Sequence, residues 1–505
     1  MSRQIALALT MLAVLIAATI GADRVVAAPS APTADFTEQI DVDSGAWYCV
    51  PLVRADETAT LTVAVAVGDE RSRVTVQNIA EGEATFDDAG RRELEPGETI
   101  ELELPGGELP PGAVIRWRGG PVTASWEVTS DDDRRLGSTC TSSPSPRWLL
   151  SGANTVVGSN ARLYLFNPFE TDAVARVAFA TPEGRQDMVS SENLSVPARE
   201  IVTVDLNELQ PEQPDLGVIV EVDAGRVIAT GLQRFGQPDL PDVELEGAEL
   251  STDPTAPDGR TMLHAMPSDA TYAGFAYVAS GERTTSWITV LNPNNRPTRL
   301  SVAASDQVSG EAVEQELVVG PESSDRIELD GLSSSPNFGV SLTSTNDVGF
   351  VAHGFLALTG DDPAVSSVAG VDEADPIGVA ATAPAGTAPE LALFNPGTAA
   401  ATASISVGGT VPDEWSALEL GPGEMQLLEF ADVGVDDGGA PVVVTADQPV
   451  HGTLRLSSDD SRSAGMLTLP LVPANTWMGS SDALVPRRDR TLQTRPVDFP
   501  AQPDR

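Results

Sequence analysis

An apolar run that stops at Asn-Pro occurs three times in the chain, and it constrains the fold more than any other feature. The copies end at Asn167-Pro168, Asn292-Pro293 and Asn395-Pro396, and a second β-rich run follows each within about ten residues. Proline offers no N–H to a β ladder and favours extended backbone before it, while asparagine can form a turn with the backbone two residues on. We therefore interpret each Asn-Pro as a turn from which the next strand folds back as a hairpin.

Two further landmarks keep the same order in each copy. A proline-centred turn follows the asparagine by 30, 29 and 27 residues, at Pro197, Pro321 and Pro422, and two short apolar runs then close the unit. Landmarks repeated in a fixed order indicate tandem units, and short β-branched runs between turns are typical of β-sandwiches. A weaker copy comes first, with a matching turn at Pro96 but with Gly68-Asp69 in place of Asn-Pro.

The sequence thus predicts an all-β fold of about four tandem immunoglobulin-like β-sandwich domains, preceded by one N-terminal signal or anchor helix. Composition shifts between the copies predict the boundaries and the linkers. The expected sandwiches are 36–145, 146–236, 271–358 and 385–470, with an acidic linker or long loop at 237–270, a linker at 359–384 and a disordered tail at 484–505.

Residues 1–28 have the features of a targeting segment. Arg3 precedes an uncharged run from 5 to 22, whose length lies between that of a signal peptide and that of a short spanning helix. A cleaved signal peptide and a retained N-terminal membrane anchor both remain open. Either one places the rest of the chain outside the cytoplasm, secreted or held at the outer face of the cytoplasmic membrane.

The chain has two cysteines, Cys49 and Cys140. In an exported protein such a pair indicates one disulfide, and two distant thiols are too few for a metal site. A bridge here would close a loop of about ninety residues, worth about 4–5 kcal/mol in the chain-entropy model.

The charge balance excludes several classes of function. A net charge of −44 opposes binding to nucleic acid, and no EF-hand loop is present to use the acidic residues for Ca²⁺. All thirty basic residues are arginine, so Schiff-base lysine chemistry and P-loop nucleotide binding are ruled out. We expect no metal and no cofactor.

Candidate catalytic residues are few. The three histidines are His264, His353 and His451, and the last two occupy one repeat position in different domains, so we expect no histidine cluster unless domains touch. No nucleophile-elbow, zincin or dinucleotide motif is present, although 74 acidic residues leave a paired-carboxylate glycosidase possible. We expect a protein that is not an enzyme.

An aromatic-x-x-Ser-Gly motif precedes two of the copies, at Trp148–Gly152 and Tyr277–Gly281. The aromatic residue could stack on a sugar, but a buried plug at a domain junction fits the low aromatic content (5 %) better. Together with the Asn-Pro strands and the proline turns, this motif resembles a family of exported actinobacterial proteins of unknown function. The resemblance covers about 148–456; it implies tandem immunoglobulin-like sandwiches and an extracytoplasmic location, but no catalytic residue.

We therefore expect an exported, non-enzymatic scaffold or adhesion-type protein of the cell envelope. Its partner would be an envelope protein or glycan, with no nucleic acid, and it would contact the membrane only through an uncleaved N-terminal segment. The alternative is a glycan-binding accessory protein for envelope polysaccharide assembly.

Overall fold

The computed structural model describes residues 44–65, 71–79, 87–129, 135–236, 257–305, 313–359, 363–372, 375–380, 387–434, 440–458 and 467–473. The chain forms two compact units, Met1–Ile40 and Asp41–Arg505, and every described residue lies in the second. The described strands are paired antiparallel, and the one α-helix among them is a single turn, α1 (Leu206–Leu209). The predicted all-β class is confirmed.

The first sandwich consists of eight strands. Its two sheets have the orders β1-β6-β3-β4 and β5-β2-β7-β8. The strands are β1 (Ser44–Cys49), β2 (Thr58–Val65), β3 (Ser72–Ile79), β4 (Asp87–Leu94), β5 (Thr99–Pro105), β6 (Gly112–Gly119), β7 (Val122–Thr129) and β8 (Arg135–Thr139).

The second sandwich repeats this plan with one extra short strand. Its sheets are β9-β15-β11-β12, with β13 also on β11, and β14-β10-β16-β17. The strands are β9 (Arg147–Ala153), β10 (Asn160–Phe166), β11 (Ala173–Thr181), β12 (Gly184–Asp187), β13 (Leu194–Val196), β14 (Ile201–Asp205), β15 (Leu216–Ala224), β16 (Ile228–Phe235) and β17 (Gly259–Leu263).

The third sandwich has the same strand orders as the first, β18-β23-β20-β21 and β22-β19-β24-β25. The strands are β18 (Tyr272–Ala279), β19 (Thr284–Asn292), β20 (Thr298–Ala304), β21 (Val313–Val319), β22 (Ser323–Glu328), β23 (Asn337–Ser344), β24 (Val351–Leu358) and β25 (Ala364–Ala369).

In the fourth sandwich one long strand, β31, runs through both sheets. Residues 442–446 of β31 pair with β28, and residues 451–458 pair with β27. The strands are β26 (Asp375–Ala380), β27 (Thr387–Phe394), β28 (Ala401–Val407), β29 (Leu418–Leu420), β30 (Met425–Glu429), β31 (Val442–Ser458), β32 (Leu467–Pro470) and β33 (Val472–Pro473). Short 3-10 turns lie at Val189–Ser191, Asp413–Trp415 and Phe430–Val433.

The four sandwiches share one topology, which differs from that of a constant-type immunoglobulin domain at three strands and by an added eighth strand. As in immunoglobulin domains, the second strand pairs with the fifth and the third with the sixth. The first strand, however, pairs with the sixth, the fourth with the third and the seventh with the second, so each of these three strands lies in the opposite sheet. In the fourth sandwich the chain passes from one sheet to the other within β31, between the sixth and seventh positions.

The Asn-Pro turns do not form hairpins, so that expectation is wrong. Strand β10, which ends before Asn167, pairs with β14 and β16, whereas the following strand β11 pairs with β12, β13 and β15. The turn therefore carries the chain from one sheet to the other. Residue pattern specifies where a strand ends but not which sheet the next strand joins.

Each sandwich has its own apolar core between its sheets. In the third, Phe275, Ile288, Val302, Phe338 and Val340 are all at most 2 % exposed. The fourth has an equivalent cluster built around leucine, valine and Trp415. Further apolar clusters bridge the second sandwich to the third and the third to the fourth.

The strand at the eighth position of each sandwich, β8, β17, β25 or β32, packs against two others of this set. We call these four the closing strands. Strand β8 contacts β17 and β32, and β25 contacts the same two strands, so the contacts form a closed cycle. Small hydroxyl side chains make the polar contacts: Thr261 Oγ1 donates to Ser367 Oγ at 2.9 Å, and Ser366 Oγ lies 2.7 Å from Thr468 Oγ1. The sandwiches are thus joined cyclically rather than as a string.

The two predicted linkers are too wide. Strand β17 lies inside 237–270 and pairs with β16, while β25 and β26 lie inside 359–384. These strands are short and stand among Asp, Gly and Pro residues, which hid them from a reading by pattern. The predicted signal or anchor (1–28), the start of the first sandwich (36–43), most of the acidic linker and the tail (484–505) fall outside the described residues.

The predicted disulfide is confirmed. Cys49, the last residue of β1, is bonded to Cys140, just after β8, across a sequence separation of 91. Both residues are at most 5 % exposed. Among the described residues, no helix has the length and apolar character needed to cross a membrane.

Candidate functional site

The side chain of each Asn-Pro asparagine is fully buried and hydrogen-bonded on both sides. Asn395 Oδ1 accepts from Gly397 N at 2.9 Å, which is an Asx turn, while Nδ2 donates to the carbonyls of Ala399, Leu420 and Gly421 at 2.8, 3.1 and 3.1 Å. Asn292 makes the four corresponding bonds, and Asn167 makes three of them. Each asparagine therefore holds its own loop to the strand end before the proline turn.

The proline turns follow the strand ends to which the asparagine side chains bond. At Pro96 and Pro422 the next residue is a glycine with positive φ, 79° at Gly97 and 69° at Gly423, as a type II turn requires. Pro321 is followed by Glu322 at φ 46°, and after Pro197 the positive φ comes one residue later, at 59°. The Asn-Pro pairs and the proline turns thus serve the framework, because the asparagines bond to backbone groups at these turns.

The residue before each asparagine is a plug for the preceding sandwich. Phe394 packs on Gly339, where an added methyl would lie 2.5 Å from the ring. In the same way Leu291 packs on Gly217 and Phe166 on Gly112, with methyl distances of 2.7 and 2.9 Å. The recurring Leu/Phe-Asn-Pro therefore marks the contact between successive sandwiches as well as a turn.

The contact between the fourth and first sandwiches is built differently. Val65 makes the two backbone bonds that Asn395 makes in the fourth sandwich, with Glu98 O and Gly97 N. Ala64 therefore stands at the plug position. The socket is the glycine on which the plug packs in the other sandwiches, and at this seam its position is occupied by Pro441, whose carbonyl accepts from Gly408 N. Plug and socket are both absent at this seam.

The three histidines lie at contacts between sandwiches, which sequence reasoning missed. His264 and His353 stack at 5.8 Å between ring centroids, and Ser138 Oγ and Ser151 Oγ lie 3.3 and 3.0 Å from their respective Nδ1 atoms. His451 Nε2 lies 2.8 Å from the hydroxyl of Tyr272. Burial lowers the pKa of His264 to about 4, of His353 to about 3 and of His451 to about 4.

His353 and His451 are not equivalent, contrary to the expectation. Across the second strand of each sandwich, Leu291 faces Val351 whereas Phe394 faces His451, so His451 sits two residues earlier than His353. The pair that meets is His264 with His353, because the domains do touch. Ser151 and His353 are both 0 % exposed, so this Ser–His contact has no access for a substrate.

The two aromatic-x-x-Ser-Gly motifs are also not equivalent. Trp148 pairs with Val220 of the neighbouring strand. Tyr277 lies in the irregular pairing between Phe275 and Val278, four residues beyond the position in β18 that corresponds to Trp148. Trp148 is fully buried, with Nε1 donating to a carbonyl at 2.8 Å, and Tyr277 is 8 % exposed. Neither ring is available as a sugar-stacking face.

A cleft of about 520 Å³ lies between the third and fourth sandwiches. One wall carries Tyr277, Arg283 and Asn337, and the other carries a row of Glu429, Glu390 and Arg455 on three neighbouring strands. Apolar contact surface comes from leucine side chains at 356, 358 and 427. The cleft is a concave site with a few converging polar groups, of the size that small ligands occupy.

Three polar side chains of this cleft are joined by an ion pair and a hydrogen bond. Arg455 Nη1 lies 2.6 Å from Glu390 Oε2 and donates to the Tyr277 hydroxyl at 3.2 Å. Within the described residues, neither Glu390 Oε2 nor Arg455 Nε has an aligned hydrogen-bond partner. Burial raises the pKa of Tyr277, although Arg455 opposes this, so the phenol stays protonated.

Sequence reasoning did not single out this cleft. Counting back five residues from the asparagine of each copy gives Arg162, Trp287 and Glu390, so the residue type at this position varies and carries no repeat signal. No group of three His, Cys, Asp or Glu side chains suited to a metal ion is found in the described part of the chain.

Comparison with known proteins adds a similarity to one family but no activity. No curated protein matches the chain. Residues 115–352, from within β6 to the start of β24, match the model of a family of unknown function, DUF5719, and this part of the chain is therefore similar to that uncharacterised family.

Proposed function

We propose that the protein is an exported, non-enzymatic scaffold of the cell envelope that presents four β-sandwiches as one rigid body. The carrying observation is the closed cycle of contacts among β8, β17, β25 and β32. Flexible tandem domains joined only by linkers move independently, whereas a cycle fixes every sandwich against two neighbours. Fixed geometry suits a protein that positions partners.

Further features of the sequence and the structure support this proposal. The disulfide is compatible with an extracytoplasmic location, and the targeting features of residues 1–28 favour export. The net charge of −44 favours a solvated surface that repels nucleic acid. The histidines are committed to contacts between sandwiches, which favours a non-catalytic role. The absence of lysine agrees with the actinobacterial source that the resemblance implies.

Immobilised full-length protein, oxidised at Cys49–Cys140, tests the proposal against fractionated cell extract. We expect saturable retention of an envelope component, and none from the cytoplasmic fraction. An unrelated protein of similar negative charge is the control for ionic retention. Equal retention on both proteins would contradict the scaffold function.

One observation favours the second candidate, a glycan-binding accessory protein. The cleft between the third and fourth sandwiches has the size and the mixed polar and apolar lining of a ligand site. Binding of a defined saccharide separates this candidate from a purely protein-binding scaffold.

A further inference from the structure

We propose that the cleft between the third and fourth sandwiches binds an uncharged saccharide, and that Glu390, Arg455 and Asn337 supply its hydrogen bonds. The inference rests on the proposed function for the location of the protein and specifies a ligand class for one site. It depends on a comparison between two equivalent contacts in the same chain.

The equivalent contact between the second and third sandwiches is filled by aromatic side chains. Trp287 and Phe355 face each other across β19 and β24 and stack at 5.2 Å. Phe235 of the second sandwich meets both rings edge-on, and the Arg326 guanidinium lies 4.5 Å above Trp287. At this contact the two facing positions are filled by aromatic groups, whereas the second sandwich has Arg162 opposite Leu232 at the same positions.

At the contact between the third and fourth sandwiches the same two positions are charged. Counted back from the asparagine, Glu390 takes the place of Trp287, and Arg455, opposite it, takes the place of Phe355. A buried ion pair is commonly no more stabilising than a well-packed apolar pair of similar volume. The interface therefore does not require this ion pair for its stability, and the same two side chains offer a ligand a hydrogen-bond acceptor and a hydrogen-bond donor.

The charges of the lining indicate an uncharged ligand. Glu390 and Glu429 balance Arg283 and Arg455, so the cleft is locally neutral within a chain of net charge −44. Carboxylates accept hydrogen bonds, guanidinium groups donate them, and an amide such as Asn337 does both. Hydroxyl groups, which also donate and accept, match this mixture.

The apolar part of the cleft fits the carbon skeleton of a sugar without ring stacking. Leucine side chains line it, while the face of Tyr277 is covered by the Arg455 guanidinium at 5.3 Å. A saccharide held here would be recognised through hydrogen bonds and leucine contacts. Binding should therefore depend strongly on Glu390 and Arg455.

Isothermal titration of the full chain with neutral trisaccharides of glucose, mannose and galactose tests the inference. A trigalacturonate is the charged comparison, and a longer neutral oligosaccharide distinguishes a free sugar from a polymer segment. We expect at least one neutral probe to bind, and trigalacturonate to bind at least ten-fold more weakly.

The double variant Glu390→Trp/Arg455→Phe reproduces the aromatic pair of the other contact and fills the cleft. It should weaken binding of the neutral probe at least ten-fold, and Glu390→Gln, which keeps the shape, at least five-fold. Arg176→Met removes an exposed arginine paired with Glu221 on the second sandwich and should change nothing.

Three results would overturn the inference: no binding of any neutral probe, a preference for the uronate, or unchanged binding in both Glu390 variants. Each leaves the scaffold proposal standing, because that proposal is tested by retention of envelope components. Saccharide binding without such retention would instead remove the scaffold proposal and keep this one.

Discussion

Phe394 packs on the α-carbon of Gly339 in the preceding sandwich, so closely that a methyl group added to the glycine would lie 2.5 Å from the ring. Phe394 also precedes the asparagine that ties its own loop to the proline turn. One short motif therefore fixes both a corner inside one sandwich and the contact with its neighbour.

Replacing Gly339 with alanine should destabilise this contact. The new methyl must displace Phe394 in a packed interface, and overpacking of this kind costs about 1–3 kcal/mol. Gly281→Ala is the matched control, since a methyl there meets no atom within 4 Å. Chemical denaturation should show a lower free energy of unfolding for Gly339→Ala only. Equal values for the two variants would contradict the close packing of Phe394 on Gly339.

Asn395→Asp should destabilise the fourth sandwich at the loop that this asparagine holds. The aspartate keeps the Asx acceptor but loses the Nδ2 donor and turns a buried negative charge towards three carbonyl oxygens. We expect a loss of about 3 kcal/mol at pH 7, by analogy with other buried polar groups left unpaired. Gln186→Glu makes the same chemical change at an exposed position of β12 and should be neutral. Similar thermal denaturation of the two variants would contradict the role of Asn395.

The buried histidines should make the assembly less stable in acid. The pKa values of His264, His353 and His451 are lowered from about 6.5 to about 4, about 3 and about 4. Between pH 6.5 and about 4 the unfolded chain therefore binds more protons than the folded chain, and the free energy of unfolding falls as the pH falls.

Replacing one histidine isolates its contribution. His451→Gln cannot titrate, so its loss of stability between pH 6.5 and 4.5 should be smaller than that of the wild type by about 2 kcal/mol. Denaturation at both pH values, with carboxylate titration common to both proteins, gives this difference. Parallel losses in the two proteins would show that His451 is not protonated on unfolding.

Removing the disulfide should destabilise the first sandwich most. The bridge spans 91 residues and joins the end of β1 to the residue after β8, which is one of the closing strands. The chain-entropy model gives a loss of about 4–5 kcal/mol for a loop of this length. Hydrogen exchange of the Cys49→Ala/Cys140→Ala variant should show faster exchange in β1 to β8 than in β18 to β25. Uniform or unchanged exchange would argue against a stabilising bridge.

Local chemistry made part of this structure predictable from the sequence. Asparagine before proline and glycine after proline each specify a turn, and two cysteines in an exported chain specify a bridge. The sheet that each strand joins was not predictable, because β10 and β11 have similar patterns on either side of Asn167. The stacking of His264 on His353 depends on contacts between sandwiches, about which local pattern carries no information.

The candidate cleft was hidden for a related reason. Glu390 and Arg455 are 65 residues apart and meet only because β27 pairs with β31. Their significance emerges when the same positions of the third sandwich prove to be Trp287 and Phe355. Strand register, rather than motif similarity, identifies equivalent residues in this chain.

The central claim is that the four sandwiches close into a cycle, and the contact between the first and fourth tests it most directly. Gly97 lies against Gly408 at this seam, and the native cysteines are paired, so two new cysteines can carry spin labels without competition. Glu98→Cys and Thr410→Cys are exposed positions beside that contact. Double electron–electron resonance on the oxidised full chain should give one narrow distribution of short distances. A broad distribution at long distances would show that the first and fourth sandwiches are apart and would contradict the cycle.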